Sequence, residues 1–172
     1  MDYNIAIRQE RQSDFPYIRE LVKDAFAKAE HSDGDEHNLI ERLRATEEYI
    51  PELSLVAEFQ GDIIGYIMFS KIKIGSVVAL GLAPIAVRSD WQRQGIGRTL
   101  IEAGHKIARD MGYKCSIVLG SPEYYSKSGY RPASSFNINA PFNVPDRYYM
   151  ALPLDTDDIP SGTVSYSTAF NT

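Results

Sequence analysis

The stretch Gln92-Arg93-Gln94-Gly95-Ile96-Gly97 decides the fold that we expect for this chain of 172 residues. It follows an apolar run, Val77 to Val87, and opens an amphipathic helix. Such a strand-to-helix turn directs successive backbone amides into a concavity at the helix N-terminus, where the partial positive charge favours an anion. Side chains at Gly95 and Gly97 would hold phosphate oxygens away from those amides. The turn therefore predicts a pyrophosphate site.

Two other kinds of phosphate-binding turn fit this stretch less well. The dinucleotide-binding fingerprint requires a third glycine three residues after the second, and position 100 is Leu. The phosphate loop of nucleoside triphosphatases requires Gly-Lys-Ser/Thr, which the sequence lacks. For the turn taken alone, an ordinary tight connection between a strand and a helix stays an alternative.

Composition narrows the function classes further. With 44% hydrophobic residues the chain suits one domain, 1–172, with a core over 3–154 and a tail over 155–172. The net charge of -5 disfavours a nucleic-acid binder and suits cationic small molecules. Cys115 is the only cysteine, which excludes an intramolecular disulfide and fits a reducing cytoplasm. We expect no membrane association, because no apolar run approaches roughly 18 residues.

Hydrophobic periodicity predicts an α/β (α+β) fold, in which a mixed, mostly antiparallel sheet carries helices on both faces. A helix capped at Ser13 or Asp14 follows the first strand, and a hairpin turns at Gln60-Gly61-Asp62. Strands are predicted at 3–8, 53–59, 63–74, 77–87 and 115–119, and around 134–139 and 147–154. Helices are predicted from 13 or 14 to 29, around 39–43, and at 95–111 and 123–128. An irregularity is expected in the strand at 77–87, where Gly81 and Pro84 interrupt it.

Three ordered motifs together resemble the GCN5-related N-acetyltransferase (GNAT) family. They are Leu82-Ala83-Pro84-Ile85-Ala86-Val87, the glycine turn with the following Arg98-Thr99-Leu100, and Tyr125-x-x-x-Gly129-Tyr130. The stretch Leu-Gly-Ser-Pro-Glu-Tyr-Tyr at 119–125 is similar to the YhbS-like branch of that family. The resemblance covers roughly residues 5 to 154 and is more specific than the turn alone. It implies the acyl-CoA N-acyltransferase fold and the transfer of an acetyl group from acetyl-CoA to a primary amine, by direct attack in a ternary complex.

The resemblance also implies where acetyl-CoA binds. The pantetheine arm would lie beside the end of the fourth strand, at Ile85, Ala86 and Val87. The pyrophosphate would lie on the turn and the first helical turn, at Arg93, Gln94, Gly95, Ile96, Gly97, Arg98 and Thr99. We expect acetyl-CoA as cosubstrate and no metal.

For catalysis, the resemblance implies that Tyr125 protonates the sulfur of CoA, with Tyr124 as the adjacent alternative. A backbone N–H near Ala86 or Val87 would polarise the carbonyl. Many family members carry a glutamate on the fourth strand, whereas residues 77–87 include no acid. Glu58, Glu123 and a water relay are left open as the base. A non-catalytic acyl-CoA sensor of the same fold and a binder of another phosphate are the rival functions.

The acidic stretch 31–37 allows three interpretations. It contains His31, Asp33, Asp35, Glu36 and His37. A solvated loop is the simplest interpretation, and the order of residues does not match a known calcium or zinc motif. In the resembling family this region borders the acceptor site, where its charge would attract a cationic small-molecule amine. The acceptor is left otherwise unspecified, and a homodimer is left open.

Three further residues receive structural interpretations. His105 is expected on the surface, away from the apolar stripe of its helix. Cys115 is expected to be an inert core thiol, and Trp91 to cap the core rather than to line the cofactor site.

Overall fold

A computed structural model of the chain describes residues 4–27 and 32–171. The strands are β1 (Ala6–Gln9), β2 (Tyr49–Phe59), β3 (Asp62–Ile74), β4 (Val77–Val87), β5 (Cys115–Leu119), β6 (Arg131–Pro132), β7 (Ile138–Asn139), β8 (Tyr149–Pro153) and β9 (Gly162–Ser165). The helices are α1 (Phe15–Phe26), α2 (Glu36–Arg44), α3 (Ile96–Asp110) and α4 (Pro122–Tyr125), with short 3₁₀ turns between several elements. No helix within the described ranges is long and apolar enough to cross a bilayer.

The strands form one sheet in the order β1-β2-β3-β4-β5-β8-β6, and β9 adds to β3 and β7. Neighbours along this order pair antiparallel except β4 and β5, which pair parallel. Helices α1 and α2 cover one face, where Val22 and Leu43 pack with Met68. Helix α3 covers the other face, where Leu100 packs with Phe69. The predicted mixed sheet with helices on both faces is confirmed.

The seam between β4 and β5 is short. In the described part of the chain it consists of two residue pairs, Leu80 with Ser116 and Gly81 with Ile117. Beyond Gly81, β4 continues to Val87 while β5 pairs only with β8. The sheet therefore opens along one edge of β4, between its middle and its C-terminal end.

The predicted irregularity in β4 lies at the start of this opening. The register with β3 shifts between Ile85 and Leu82, where Ala83 and Pro84 lie opposite Met68 alone. Two residues opposite one are a β-bulge, which bends the strand that carries it. The bulge thus changes the direction of β4, so that its last residues run away from β5.

A buried carboxylate fixes α2 to the sheet. Glu10, whose side chain is almost fully buried, accepts hydrogen bonds from Arg44 at 2.7 Å and from the hydroxyls of Tyr49 and Tyr66. The guanidinium of Arg44 also lies 3.6 Å above the ring of Phe15 on α1. This cluster holds together β1, β2, β3 and both helices of that face, and so fixes the C-terminal end of α2.

Periodicity located most elements to within a few residues. The first strand begins at Ala6 rather than at Tyr3, which lies outside the described residues, as do Ala29 and His31. Most of the strand expected around 134–139 is a 3₁₀ turn, because Asn137 has a left-handed φ of 58° that ends the turn before β7. The predicted tail contains β9, which pairs with β3 and β7.

Candidate cofactor and acceptor sites

The glycine turn connects the open end of β4 to α3. Gly95 has φ 84°, and α3 begins at the next residue, Ile96. A β-carbon at Gly95 would meet no atom within 4 Å, so conformation rather than space requires glycine there. Arg93 is also left-handed, at φ 63°. Two left-handed residues within three positions tighten the turn and direct its amides toward one side.

Gly97 is required for a different reason. A methyl group at Gly97 would overlap the hydroxyl of Tyr124, which reaches across from α4. The same position lies 3.7 Å from the side chain of Ile85 on β4. The first turn of α3, the end of β4 and Tyr124 therefore converge where the sequence predicts the cofactor.

The first turn of α3 has three amides that lack an intrahelical acceptor. They belong to Ile96, Gly97 and Arg98, because a helix leaves its first N–H groups unpaired. The amide and the hydroxyl of Thr99 both donate to the carbonyl of Gly95, at 3.0 and 2.8 Å. Of the residues predicted to bind pyrophosphate, Thr99 thus already uses its donors within the chain.

Some side chains of the turn bind to the chain itself, and others lie on its exposed surface. Gln92 donates to the carbonyl of Val87 at 3.2 Å, and Gln94 donates to that of Asp90 at 3.5 Å. Arg98 pairs with Glu102 at 3.1 Å on the exposed face of α3. Gln92 therefore ties the turn to the end of β4.

Strand pairing decides which amides of β4 face the opening. The amide of Arg88 donates to the carbonyl of Ile64 at 2.8 Å. Because hydrogen-bonded and non-hydrogen-bonded pairs alternate in an antiparallel ladder, the amide of Ala86 also points to β3. The amides of Ile85 and Val87 then point away from β3, into the opening. This alternation favours Ile85 and Val87 over Ala86 as backbone donors to a ligand.

Tyr125 packs at the other side of this region. A methyl group at Gly120 would overlap its ring, which also contacts Tyr130 edge-on at a centroid distance of 5.9 Å. Burial raises the pKa of Tyr125 above its ordinary value. Among the described residues the Tyr125 hydroxyl has no hydrogen-bond partner, so its proton is available to a ligand.

Behind Tyr125 lies a buried hydrogen-bond chain that sequence reasoning missed. Nε2 of His105 lies 2.9 Å from the hydroxyl of Tyr130, which lies 2.7 Å from the hydroxyl of Ser116. The prediction that His105 is a surface residue is wrong, because only 4% of it is exposed. Its position four residues after the buried Ile101 was the available signal. Burial, with a smaller contribution from Arg109, lowers the pKa of His105 to about 4, so the ring is neutral at pH 7.

On the α1–α2 face, a cavity of about 620 Å³ lies where β4 and β5 part. Residues of β4 and β5 form its floor, and residues of the acidic stretch and of α2 form one wall. The other wall comes from residues between 141 and 170, which we call the C-terminal segment. Its lining residues are Asp33, Asp35, Glu36, Leu39, Arg42, Gly81, Leu82, Ala83, Ile117, Leu119, Pro141, Phe142, Tyr166 and Phe170. The acidic stretch therefore borders the opening of the sheet instead of projecting into solvent alone.

The charges of this cavity are mostly negative. Among the described residues that line it, the cationic one is Arg42, which pairs with Asp35 at 3.0 Å and donates to the carbonyl of Ala169. Hydrogen bonds from Asn38 and Arg42 lower the pKa of Asp35. Within the described residues, Asp33 and Glu36 have no cationic partner; Glu36 accepts from Ser32 and Asp33 from a backbone amide. In those ranges no group of three or more His, Cys, Asp or Glu side chains could hold a metal ion.

The carboxylates considered as the base lie elsewhere. Glu58 pairs with Arg8 at 2.9 Å on the outer strands. Glu123 is exposed on α4, where backbone and Ser121 hydrogen bonds lower its pKa. Neither lines the cavity, whereas the carboxylates of the acidic stretch do.

Two structural interpretations from the sequence are confirmed. Trp91 is buried against Phe59, at a ring distance of 4.9 Å, and closes the core beneath the turn. Cys115 is fully buried, and burial raises the pKa of its thiol to about 12, which keeps it unreactive.

Comparison with known proteins agrees with this geometry. The sequence profile of the Acetyltransferase (GNAT) family matches residues 7–130. The uncharacterized N-acetyltransferase YhbS of Escherichia coli is 30% identical over 170 residues, which cover 96% of this chain and 98% of YhbS. The uncharacterized N-acetyltransferase YjhQ of the same species is 32% identical over 142 residues, which cover 80% of this chain and 76% of YjhQ.

Two solved structures share the whole architecture and contain the expected cosubstrate or its product. The crystal structure of E. coli YhbS in complex with CoA superposes with a TM-score of 0.90 at 26% identity, over 100% of this chain and 94% of that chain. A GNAT family acetyltransferase from Brucella melitensis in complex with acetyl-CoA superposes with a TM-score of 0.82 at 31% identity, over 98% and 99%. With a family profile matched over more than half of its length and the fold shared throughout, the chain belongs to the GNAT family of acyl-CoA-dependent N-acetyltransferases.

Proposed function

We propose that this chain transfers an acetyl group from acetyl-CoA to the nitrogen of a small primary amine, which attacks directly while both substrates are bound. One observation carries the proposal: the open edge of β4 leads on one side to the glycine turn and on the other to an acidic cavity. The two substrates would thus approach the end of the β4–β5 seam from opposite faces of the sheet.

The residues at the open edge fit acetyl-CoA. The free amide of Val87, which is nearer the turn than that of Ile85, suits an amide group of a pantetheine arm, which would pair with it as an added strand does. The amides of the first turn of α3 suit a pyrophosphate, with Arg93 beside them. When bound, acetyl-CoA supplies an acyl group activated as a thioester. YhbS and the Brucella melitensis relative were crystallised with CoA and acetyl-CoA.

Because the thioester lies at the end of the pantetheine arm farther from the turn, the amide of Ile85 is the donor that we assign to the acyl oxygen. It is fixed by the β3–β4 ladder and points into the opening, so it requires no reorganisation during the reaction. Removal of one such donor costs other acyl-transfer enzymes about 3–4 kcal/mol of transition-state stabilisation. A backbone donor cannot be deleted by mutation, which makes Tyr125 the more accessible residue to test.

Tyr125 is proposed to donate a hydrogen bond to the departing sulfur. Burial raises its pKa above the ordinary value of about 10 for a phenol. Complete proton transfer from this phenol to a thiolate therefore costs more than transfer from an ordinary phenol would. Donation by the Tyr125 hydroxyl without complete transfer lowers the barrier without that cost, because the negative charge is stabilised where it develops.

The acidic wall is proposed to attract and deprotonate the acceptor. Asp33 and Glu36 lack cationic partners among the described residues and face a cavity that an ammonium group can enter. An alkylammonium has a pKa of about 10.4 and must lose a proton before it attacks. Either carboxylate, directly or through water, is a better placed base than Glu58 or Glu123.

The experiment measures CoA release from acetyl-CoA with a panel of primary amines. We expect release that depends on the amine, and a loss of about 10- to 100-fold in kcat for Tyr125→Phe with little change in the KM for acetyl-CoA. Tyr113→Phe is the matched control, since Tyr113 lies between the C-terminal end of α3 and the start of β5, away from the glycine turn and the opening. Tight binding of acetyl-CoA without release by any amine would favour the non-catalytic sensor. Equal turnover by Tyr125→Phe at every pH would refute the assignment of Tyr125.

A further inference from the structure

The wall of the cavity opposite the acidic stretch is aromatic. We call Phe142, Tyr166 and Phe170 the aromatic wall; all three line the cavity. They lie outside residues 7–130, the part of the chain that matches the family profile. The part that matches the family profile supplies the opening of the sheet, and residues after it supply this wall.

The aromatic wall is preorganised by contacts among its own rings. Tyr166 stacks with Phe142 at a centroid distance of 6.1 Å and an interplanar angle of 17°, and it contacts Phe170 at 5.2 Å. The hydroxyl of Tyr166 is 2.8 Å from that of the buried Tyr149. The rings are thus fixed before a ligand binds, which reduces the entropy lost on binding.

Part of this apolar surface is left uncovered. Phe142 is 46% exposed and Leu119, beside it in the cavity, is 52% exposed. Large apolar side chains that are exposed together at a cavity mark a binding surface more often than they do singly. Their position inside a concave site indicates a ligand of small size rather than a protein surface.

The aromatic wall also lies close to the point where β4 and β5 part. A β-carbon at Gly81, the last residue paired with β5, would lie 3.8 Å from Cε1 of Tyr166. A ligand whose amine reaches the opening of the sheet therefore places its next few atoms against these rings. The facing carboxylates of Asp33 and Glu36 would hold its positive charge.

From this arrangement we propose that the acceptor is an arylalkylamine, a primary amine joined to a planar aromatic ring by a spacer of about two or three carbons. The inference rests on the proposed function and narrows it to one substrate class. Linear polyamines and polyhydroxylated amino sugars fit less well, because their polar groups would lose water against the aromatic wall without gaining hydrogen bonds.

The test compares two amines that differ in the ring. Calorimetric binding to the CoA-saturated protein and acetyl transfer are both measured with 2-phenylethylamine and with n-hexylamine. Ring stacking predicts that 2-phenylethylamine has the lower Kd and KM, by about two- to twelvefold. Phe142→Leu keeps an apolar side chain but removes the ring, and we expect that ratio to fall toward one. Met111→Ser, at the exposed C-terminal end of α3 and outside this cavity, should leave the ratio unchanged.

The two measurements separate this inference from the function on which it rests. A preference for the ring in binding, lost in Phe142→Leu, supports the inference even if no amine releases CoA, which would overturn the proposed function alone. Equal binding of the two amines, no binding of either, or a ratio unaffected by Phe142→Leu would overturn the inference, whether or not acetyl transfer occurs.

Discussion

The buried His105 makes the fold sensitive to mild acid. Its pKa is about 4 in the folded chain, against an ordinary value of 6.5. As the pH falls below 6.5 the unfolded chain takes up a proton at this position, while the folded chain remains neutral until about pH 4. Because the unfolded state then binds more protons, stability is lost as the pH falls through this window. At about 1.4 kcal/mol per unit, the whole shift corresponds to a loss of about 3 kcal/mol.

Urea unfolding at about pH 7, 6, 5 and 4 measures this loss, with His105→Gln as the matched variant. The glutamine amide does not titrate and can still hydrogen-bond to the hydroxyl of Tyr130. Protonation of carboxyl groups with lowered pKa values, such as Asp14, also destabilises the fold in acid, but it does so equally in both proteins. The difference between the two proteins should therefore change by about 3 kcal/mol between pH 7 and pH 4. Parallel curves for the two proteins would refute the assignment of a buried, neutral His105.

Three further substitutions test other parts of the structure. In urea unfolding, Gly95→Ala should destabilise the fold by about 1–2 kcal/mol, since alanine disfavours the left-handed conformation, and Gly95→Asn should destabilise it by less. If Gly95→Ala were as stable as the original protein, the φ of 84° would be contradicted. Glu10→Gln leaves Arg44 buried without its charge partner and should lower the free energy of unfolding by about 3–5 kcal/mol, whereas Glu41→Gln, in an exposed ion pair, should have little effect. Tyr130→Phe leaves two buried polar groups without a shared partner and should cost about 1–3 kcal/mol by the same assay; no change would mean that solvent satisfies them.

Local signals in the sequence predicted the strand, the turn and the helix that surround the proposed cofactor site. The strand, the two glycines and the start of α3 lie within one continuous stretch, so their geometry follows from backbone chemistry at neighbouring positions. Periodicity also located the bulge near the end of β4, because proline and glycine interrupt an otherwise apolar strand. The resemblance then supplied the chemical identity of the cosubstrate.

The proposed acceptor half of the site could not be predicted in the same way. Phe142, Tyr166 and Phe170 come together only because β9 returns to pair with β3, and a four-residue strand in a polar segment gives little periodicity. His105 was missed for a related reason, since the buried face of α3 is wider than its apolar stripe and includes a polar residue satisfied by Tyr130. Contacts between distant positions decide both features.

The two-pair seam between β4 and β5 makes the sheet an incomplete ladder. The exchangeable amide hydrogens of Ile85 and Val87 lie on the edge of β4 that β5 does not cover, where water can reach them when no ligand pairs with that edge. A ligand that pairs with those amides becomes, for the backbone, the missing strand of the sheet. Cosubstrate binding would then lengthen the short connection between β4 and β5, beside the pairing of β9 with β3 that already links the two parts of the chain.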